Sequence, residues 1–264
     1  MGMNSHSKSR SLRNVTAGAA IALAAFAPAA SADVIEFSWN LTGDSAPTVH
    51  QRTFNSVQNS PSSVLTARAY ATSGTDGTGD IVARNLGLYS GGLGVSGGND
   101  STSSPNHALD NVGVNDLILF EFAAGGYNPK SVTIGWKQGD ADIQIWVGGP
   151  NSAGLNLTNA CAGNCDISDL ASLGFSLPAL EYTDLQVGVP RLLSTTLTGR
   201  YLLVAARFEG GSISGGDDDY MKISGLVAKV SRVPEPATAA LLLLGLAALG
   251  RSRKARQIAG ERAS

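Results

Sequence analysis

The stretch Ser131-Val132-Thr133-Ile134-Gly135-Trp136-Lys137 alternates apolar and polar side chains with a period of two. Successive side chains of an extended strand point to opposite faces. Val132, Ile134 and Trp136 are therefore expected on one face, and Ser131, Thr133 and Lys137 on the other. Immediately downstream, residues 142–147 repeat the pattern with Ile143, Ile145 and Val147. Upstream, residues 117–122 are apolar on nearly both faces, which places that strand inside a sandwich. Further strands are expected at 34–39, 64–72, 81–88, 201–208 and 220–230, separated by turn clusters such as Gly74-Thr75-Asp76-Gly77 and Gly148-Gly149-Pro150-Asn151.

No helical periodicity runs over several turns between residues 33 and 232. The best helix is a short one at 167–173, with Asp166 as its cap. Short strands joined by Gly/Asn-rich turns, without alternating helices, predict an all-β fold. The expected architecture is an antiparallel β-sandwich, jelly-roll-like, rather than a propeller, for which the internal repeats are missing.

Residues 33–232 hold 11 Lys/Arg and 19 Asp/Glu, a net charge of −8, although the whole chain carries only −2. That field repels phosphate backbones and argues against a nucleic-acid partner; it is compatible with divalent cations or neutral glycans. The two cysteines, Cys161 and Cys165, stand in one short run. In an oxidising compartment they are expected to form a disulfide. A metal site would need two further ligands, for which the body offers only His50 and His107.

The compartment follows from the two ends. Lys8, Arg10 and Arg13 precede a small-residue apolar stretch at 15–26, then Ala27-Pro28 and the triplet Ala30-Ser31-Ala32. Basic flank, short apolar helix and A-x-A triplet are the parts of a secretory signal peptide, with the small side chains of Ala30 and Ala32 at the signal-peptidase site and Asp33 as the new N-terminus. At the other end come Val233-Pro234-Glu235-Pro236, an uncharged apolar run at 237–250, and then Arg251, Arg253, Lys254 and Arg256. Fourteen helical residues rise only about 21 Å, short of the roughly 30 Å of a bilayer core. The basic cluster nevertheless stands where a cytoplasmic flank is expected, which predicts a transmembrane-like helix. The expected division is 1–32 signal peptide, 33–232 extracytoplasmic domain, 233–256 sorting segment and 257–264 tail.

Pro-Glu-Pro, an apolar helix and a terminal basic cluster resemble the PEP-CTERM sorting signal of Gram-negative bacteria, although Gln257 to Ser264 continue past the cluster. The resemblance implies recognition of Pro234, Glu235 and Pro236 by the membrane protease exosortase, and removal of the tail during delivery to the surface. A second resemblance lies in the body. Gly92-Leu93-Gly94-Val95, His107-Ala108-Leu109-Asp110-Asn111, residues 117–122 and Ile134-Gly135-Trp136 look like a block of exosortase-dependent surface proteins with a HALDN-type segment. It implies class and location, and brings no catalytic residues.

Several motifs could carry chemistry. Residues 92–97 spell G-x-G-x-x-G and 94–98 spell G-x-S-x-G, but each needs a helix to open there, and a loop rich in Gly, Ser and Asn follows instead. A triad of Ser96, His107 and Asp110 lacks its α/β scaffold. Oxygen-rich clusters, Asn106, Asp110, Asn111 and Asp116 on one side and Asp217, Asp218 and Asp219 on the other, are candidate Ca²⁺ ligands without a spacing code. Glu36, Glu121, Asp140, Asp142 and Glu181 are scattered acids from which a glycosidase pair would have to be drawn. Trp39, Trp146 and Tyr127 are candidates to stack on sugars, although core packing is the commoner use of each tryptophan.

The expected function is that of a non-enzymatic, exported and exosortase-processed surface or matrix protein. It would be anchored in the inner membrane transiently, through its C-terminal helix, and then associate with exopolysaccharide or biofilm. A carbohydrate- or calcium-binding module is the alternative and a secreted hydrolase the second. No cofactor is expected apart from the Ca²⁺ candidate, and the processing partners are signal peptidase and exosortase.

Overall fold

The computed structural model describes residues 33–44, 46–57, 62–75, 77–97, 105, 107–161, 164–208 and 218–232. The chain divides into a body, Val34–Ser231, and a second unit formed by Met1–Asp33 with Arg232–Ser264. The signal helix, the sorting helix and the basic cluster lie outside the described residues. No helix among the described residues is long and apolar enough to cross a membrane.

Among the described residues the body is all-β, with fifteen strands and one 3-10 turn at Ile167–Ala171. Sheet A contains β1 (Asp33–Asn40), β2 (Ala46–Val49), β6 (Asn85–Tyr89), β7 (Gly92–Ser96), β8 (Leu109–Asp110), β10 (Tyr127–Gly139), β13 (Arg191–Leu192) and β15 (Asp219–Arg232). Sheet B contains β3 (Gln51–Asn55), β4 (Val64–Thr72), β5 (Ile81–Ala83), β9 (Asp116–Phe122), β11 (Ile143–Gly148), β12 (Leu180–Tyr182) and β14 (Tyr201–Ala206). The β1–β15 pairing aside, the strand pairings of both sheets are antiparallel.

The order is simple once strands are taken in pairs that change sheet: β4 with β6, β7 with β9, β10 with β11, and β14 with β15. Sheet A runs β6-β7-β15-β10 and sheet B runs β4-β9-β14-β11, so both sheets stack the four pairs identically. β15 is the hub of sheet A. β10 pairs along almost its whole length on one side, while β8, β7 and β1 also pair with it.

Residues 81–88 do not form the single strand their pattern predicts. The chain breaks at Arg84, whose amide donates to Ala69 O at 3.0 Å, and β5 joins sheet B while β6 joins sheet A. A period-2 pattern is blind to such a change, because the inward face stays inward on either side of the crossing.

The inward faces make one core that includes Phe37, Trp39, Leu65, Ile118, Phe120, Phe122, Val132, Ile134, Ile143, Ile145, Val204 and Ile223. Four aromatics close one end of it. Phe122 and Tyr127 stack at 4.8 Å between centroids, and Trp39 packs on Phe122 at 5.7 Å. Their polar atoms are satisfied locally: Trp39 Nε1 donates to Ser63 O at 3.1 Å, and the Tyr127 hydroxyl lies 2.8 Å from Ser63 Oγ.

A second core explains why residues 117–122 are apolar on both faces. Leu117, Leu119, Tyr70, Trp146, Tyr201 and Leu203 point out of the opposite face of sheet B, and Leu155, Leu157, Leu170 and Phe175 cover them. The cover is irregular, residues 149–161 and 164–179, and contains the 3-10 turn. Asp166 caps that turn as expected, in a reciprocal capping box with Asp169. Cys161 and Cys165 form the expected disulfide, Cα–Cα 5.2 Å, within this cover, and the Cys165 carbonyl accepts from the Ile81 amide at 2.6 Å.

Polar groups beneath the cover hold it down. Leu155 N donates to Tyr201 Oη at 3.1 Å, and that hydroxyl donates onward to Ser152 O at 2.7 Å. Burial pushes the Tyr70 and Tyr201 phenols above their ordinary value, although backbone donors to both oxygens pull the other way. Glu121 is the central acceptor. It takes Arg68 Nη1 at 2.8 Å, Arg200 Nε at 3.2 Å and the Gly154 amide at 3.1 Å. Burial alone would raise its carboxyl, but the bonds from Arg68, Gly154 and Arg200, with the Arg68 charge, outweigh that and hold it below the ordinary carboxylate value.

Candidate functional site

Where β10 ends and β15 begins, Asp140, Asp142 and Asp219 converge. One carboxylate oxygen from each lies within 4.8 Å of the others, and Asp142 and Asp219 are 8% and 4% exposed. The backbone puts them there: Gly139 pairs with Asp219, and an isolated bridge joins Asp140 to Asp219. Three carboxylates this close repel one another by several kcal/mol at an effective dielectric of about 20 unless donors compensate. The donors are present. Asp219 accepts from Asp142 N at 2.8 Å and from Asn111 Nδ2 at 3.1 Å, while its own amide donates to Asn111 Oδ1 at 3.0 Å. Asp142 accepts from Asp184 N at 2.8 Å and faces Arg207 Nη1 at 3.4 Å. The corner therefore ties five chain segments together, and its oxygens have a second lone pair with which a hard cation could be met.

Of the candidate ligands, the structure brings Asn111 and Asp219 into this corner. Asp110 pairs with Tyr220 across β8 and β15, and its carboxylate accepts from Val112 N at 3.0 Å, an Asx turn. Asp116 opens β9 in sheet B opposite Ala71, Asp218 is exposed, and Asn106 and Asp217 lie outside the described residues. Asp140 and Asp142 belong to the corner but were expected only among the scattered acids. The signal was there: two acids straddle Ala141 at the end of a long strand.

Of the scattered acids, Asp142 and Glu181 share Arg207, at 3.4 and 3.5 Å. Glu121 is locked between two arginines, and Glu181 is engaged by Gln144 Nε2 at 3.1 Å and by Arg207 at 3.5 Å. Residues 92–96 are strand, not a nucleophile elbow, and the Ser96 hydroxyl donates to Asn85 O at 3.5 Å instead of to His107. Trp39, Trp146 and Tyr127 are 2%, 2% and 5% exposed, so none of them is a sugar platform; each fills one of the two cores.

Trp136 is the tryptophan that does reach the surface. Its alternation with Val132 and Ile134 predicts an inward ring, but a β-bulge intervenes. Ile134 pairs with Ile223 and Trp136 with Lys222, so Gly135 is an extra residue and the ring is turned to the outer face of sheet A. There, Lys222 Nζ lies 4.3 Å from the centroid of the Trp136 ring and 4.6 Å from that of Tyr89.

The residues expected for processing, Ala30, Ala32, Pro234, Glu235 and Pro236, lie outside the described residues. Comparison with known families supplies the tail: residues 232–257 match the PEP-CTERM protein-sorting motif. This motif marks an exported chain for exosortase at the cell envelope. No curated protein and no solved structure matches the chain.

Proposed function

We propose that this protein is a non-enzymatic component of the surface or extracellular matrix of a Gram-negative bacterium. In this reading signal peptidase cuts after Ala32, exosortase recognises Pro234, Glu235 and Pro236, and the apolar run at 237–250 holds the chain in the inner membrane only until that second cut. The body is then held in exopolysaccharide or biofilm. The observation that carries the reading is the sorting motif at residues 232–257, attached to an acidic all-β body with a disulfide. The HALDN-type segment supports the same class. Its Leu109 and Asp110 form β8 against the hub strand, and we take the sheet-switching strand pairs as a jelly-roll-like wrapping.

Mass spectrometry of protein released from the surface of an exosortase-bearing host tests it. The C-terminal peptide is expected to end before Leu241. A C-terminal peptide that still contains residues 241–244 defeats the processing proposal.

A calcium-binding module is the second reading, favoured by the convergence of Asp140, Asp142 and Asp219. Addition of Ca²⁺ at a hundred times its dissociation constant would stabilise the body by about 2.7 kcal/mol, and an unchanged melting temperature at millimolar Ca²⁺ removes it.

A further inference from the structure

Each sheet has two faces. The inward faces share the main core and the outer face of sheet B lies under residues 149–161 and 164–179. Among the described residues no second hydrophobic cover packs on the outer face of sheet A. That face carries a column of rings and charge: His107 stacks on Tyr89 at 6.1 Å and 21°, and Lys222 sits over the rings of both Tyr89 and Trp136. All four residues are partly exposed.

Three observations single this column out from ordinary surface. The bulge at Gly135 spends a core-pattern tryptophan on the surface, and bulges that re-aim a side chain are enriched beside functional sites. His107 has φ +86, a left-handed conformation that a non-glycine residue adopts only when its surroundings enforce it. Its Nδ1 is buried without a hydrogen-bond partner among the described residues. The third is Lys222. No carboxylate among the described residues pairs with it, so its three N–H donors sit beside two ring faces.

Aromatic rings offer apolar faces to the C–H face of a pyranose, and a fixed ammonium donates to its hydroxyl and ring oxygens. Charge decides the class of glycan. The body carries −8, so a polyanion is repelled by the field of the whole. We propose that Tyr89, Trp136 and Lys222, with His107 behind Tyr89, form a binding site for a neutral polysaccharide. This rests on the exopolysaccharide association proposed above and gives it an address on the molecule.

The test uses the full chain, exported so that its disulfide forms and then purified. Affinity electrophoresis is run through gels containing dextran, galactomannan, xylan or mixed-linkage β-glucan, and through gels containing alginate or polygalacturonate. Retention is expected by at least one neutral polymer, at least tenfold weaker retention by both acidic ones, and at least a tenfold loss in Trp136→Ala. Lys222→Met keeps an apolar stem between the rings while removing the donors, and a loss of at least threefold is expected. This variant decides the matter if Trp136→Ala fails to fold. Absence of retention by every neutral polymer, tighter retention by an acidic one, or wild-type retention by a folded variant overturns the site. The C-terminal cut is read separately by mass spectrometry, so a processed, surface-delivered protein that ignores glycans defeats this inference alone.

Discussion

Replacing Glu121 by Ala should loosen the cover before it harms the main core. The carboxylate is the shared partner of Arg68, Arg200 and the Gly154 amide, and the two arginine side chains are only 11% and 15% exposed. Removing one member of a buried ion pair costs about 3–5 kcal/mol, because the other is left charged and desolvated. Here Arg68 keeps a bond to Gln51 Oε1 at 2.9 Å and Arg200 one to Asn151 O at 3.2 Å, so the lower end, about 3 kcal/mol, is expected. For a body of this size that corresponds to a fall of about 6–12 °C in melting temperature. Urea unfolding followed by fluorescence reads the loss, since Trp146 lies beneath the cover and Trp39 in the main core. Amide exchange at Gly154, Leu155 and Leu157 should accelerate more than exchange in β10. A loss below about 1 kcal/mol, or equal acceleration in both places, would refute the role given to Glu121.

The same carboxyl makes a pH prediction: because its folded pKa lies below the unfolded value, its contribution is complete above the ordinary carboxylate range and disappears as pH falls through the folded pKa. Acid titration of stability should show a decline below about pH 4.5 that is shallower in Glu121→Gln. Reducing the five-residue Cys161–Cys165 loop should cost about 2 kcal/mol by loop-closure entropy, measured as a shift of the urea midpoint with and without reductant. Gly94→Ala should prevent β8 from docking, because the new Cβ would run into the His107 carbonyl; a soluble variant with wild-type melting would contradict the close approach. Asp142→Asn should leave Arg207 without its closest carboxylate and lower stability by about 1–3 kcal/mol in thermal melts at neutral pH, whether or not Ca²⁺ is added.

The sheets were legible because alternation is a local signal: 64–72 is β4 as read, and the patterns at 117–122, 142–147 and 220–230 sit on β9, β11 and β15 within one or two residues. The three tryptophans show where such signals stop. Trp39 and Trp146 are named as stacking candidates although core packing is the commoner use of each, and they are core residues, whereas Trp136 reads as core and is surface. In the last case one glycine shifts the phase of the strand, and the insertion becomes visible only when the partner Ile223-Lys222 is known. The acid corner was half legible for a related reason. Asp140 and Asp142 are 77 or more residues from Asp219 along the chain, and only the pairing of β10 with β15 makes them neighbours.

The hub strand β15 ends at Arg232, where the sorting motif begins, so the tether leaves from the middle of a sheet and not from its edge. While the uncut tail holds the chain in the inner membrane, as proposed above, a pull on it would not peel one strand from a rim, a bond at a time. It would load β15 lengthwise against β10 on one side and its other partners in sheet A, so that many hydrogen bonds share the force at once.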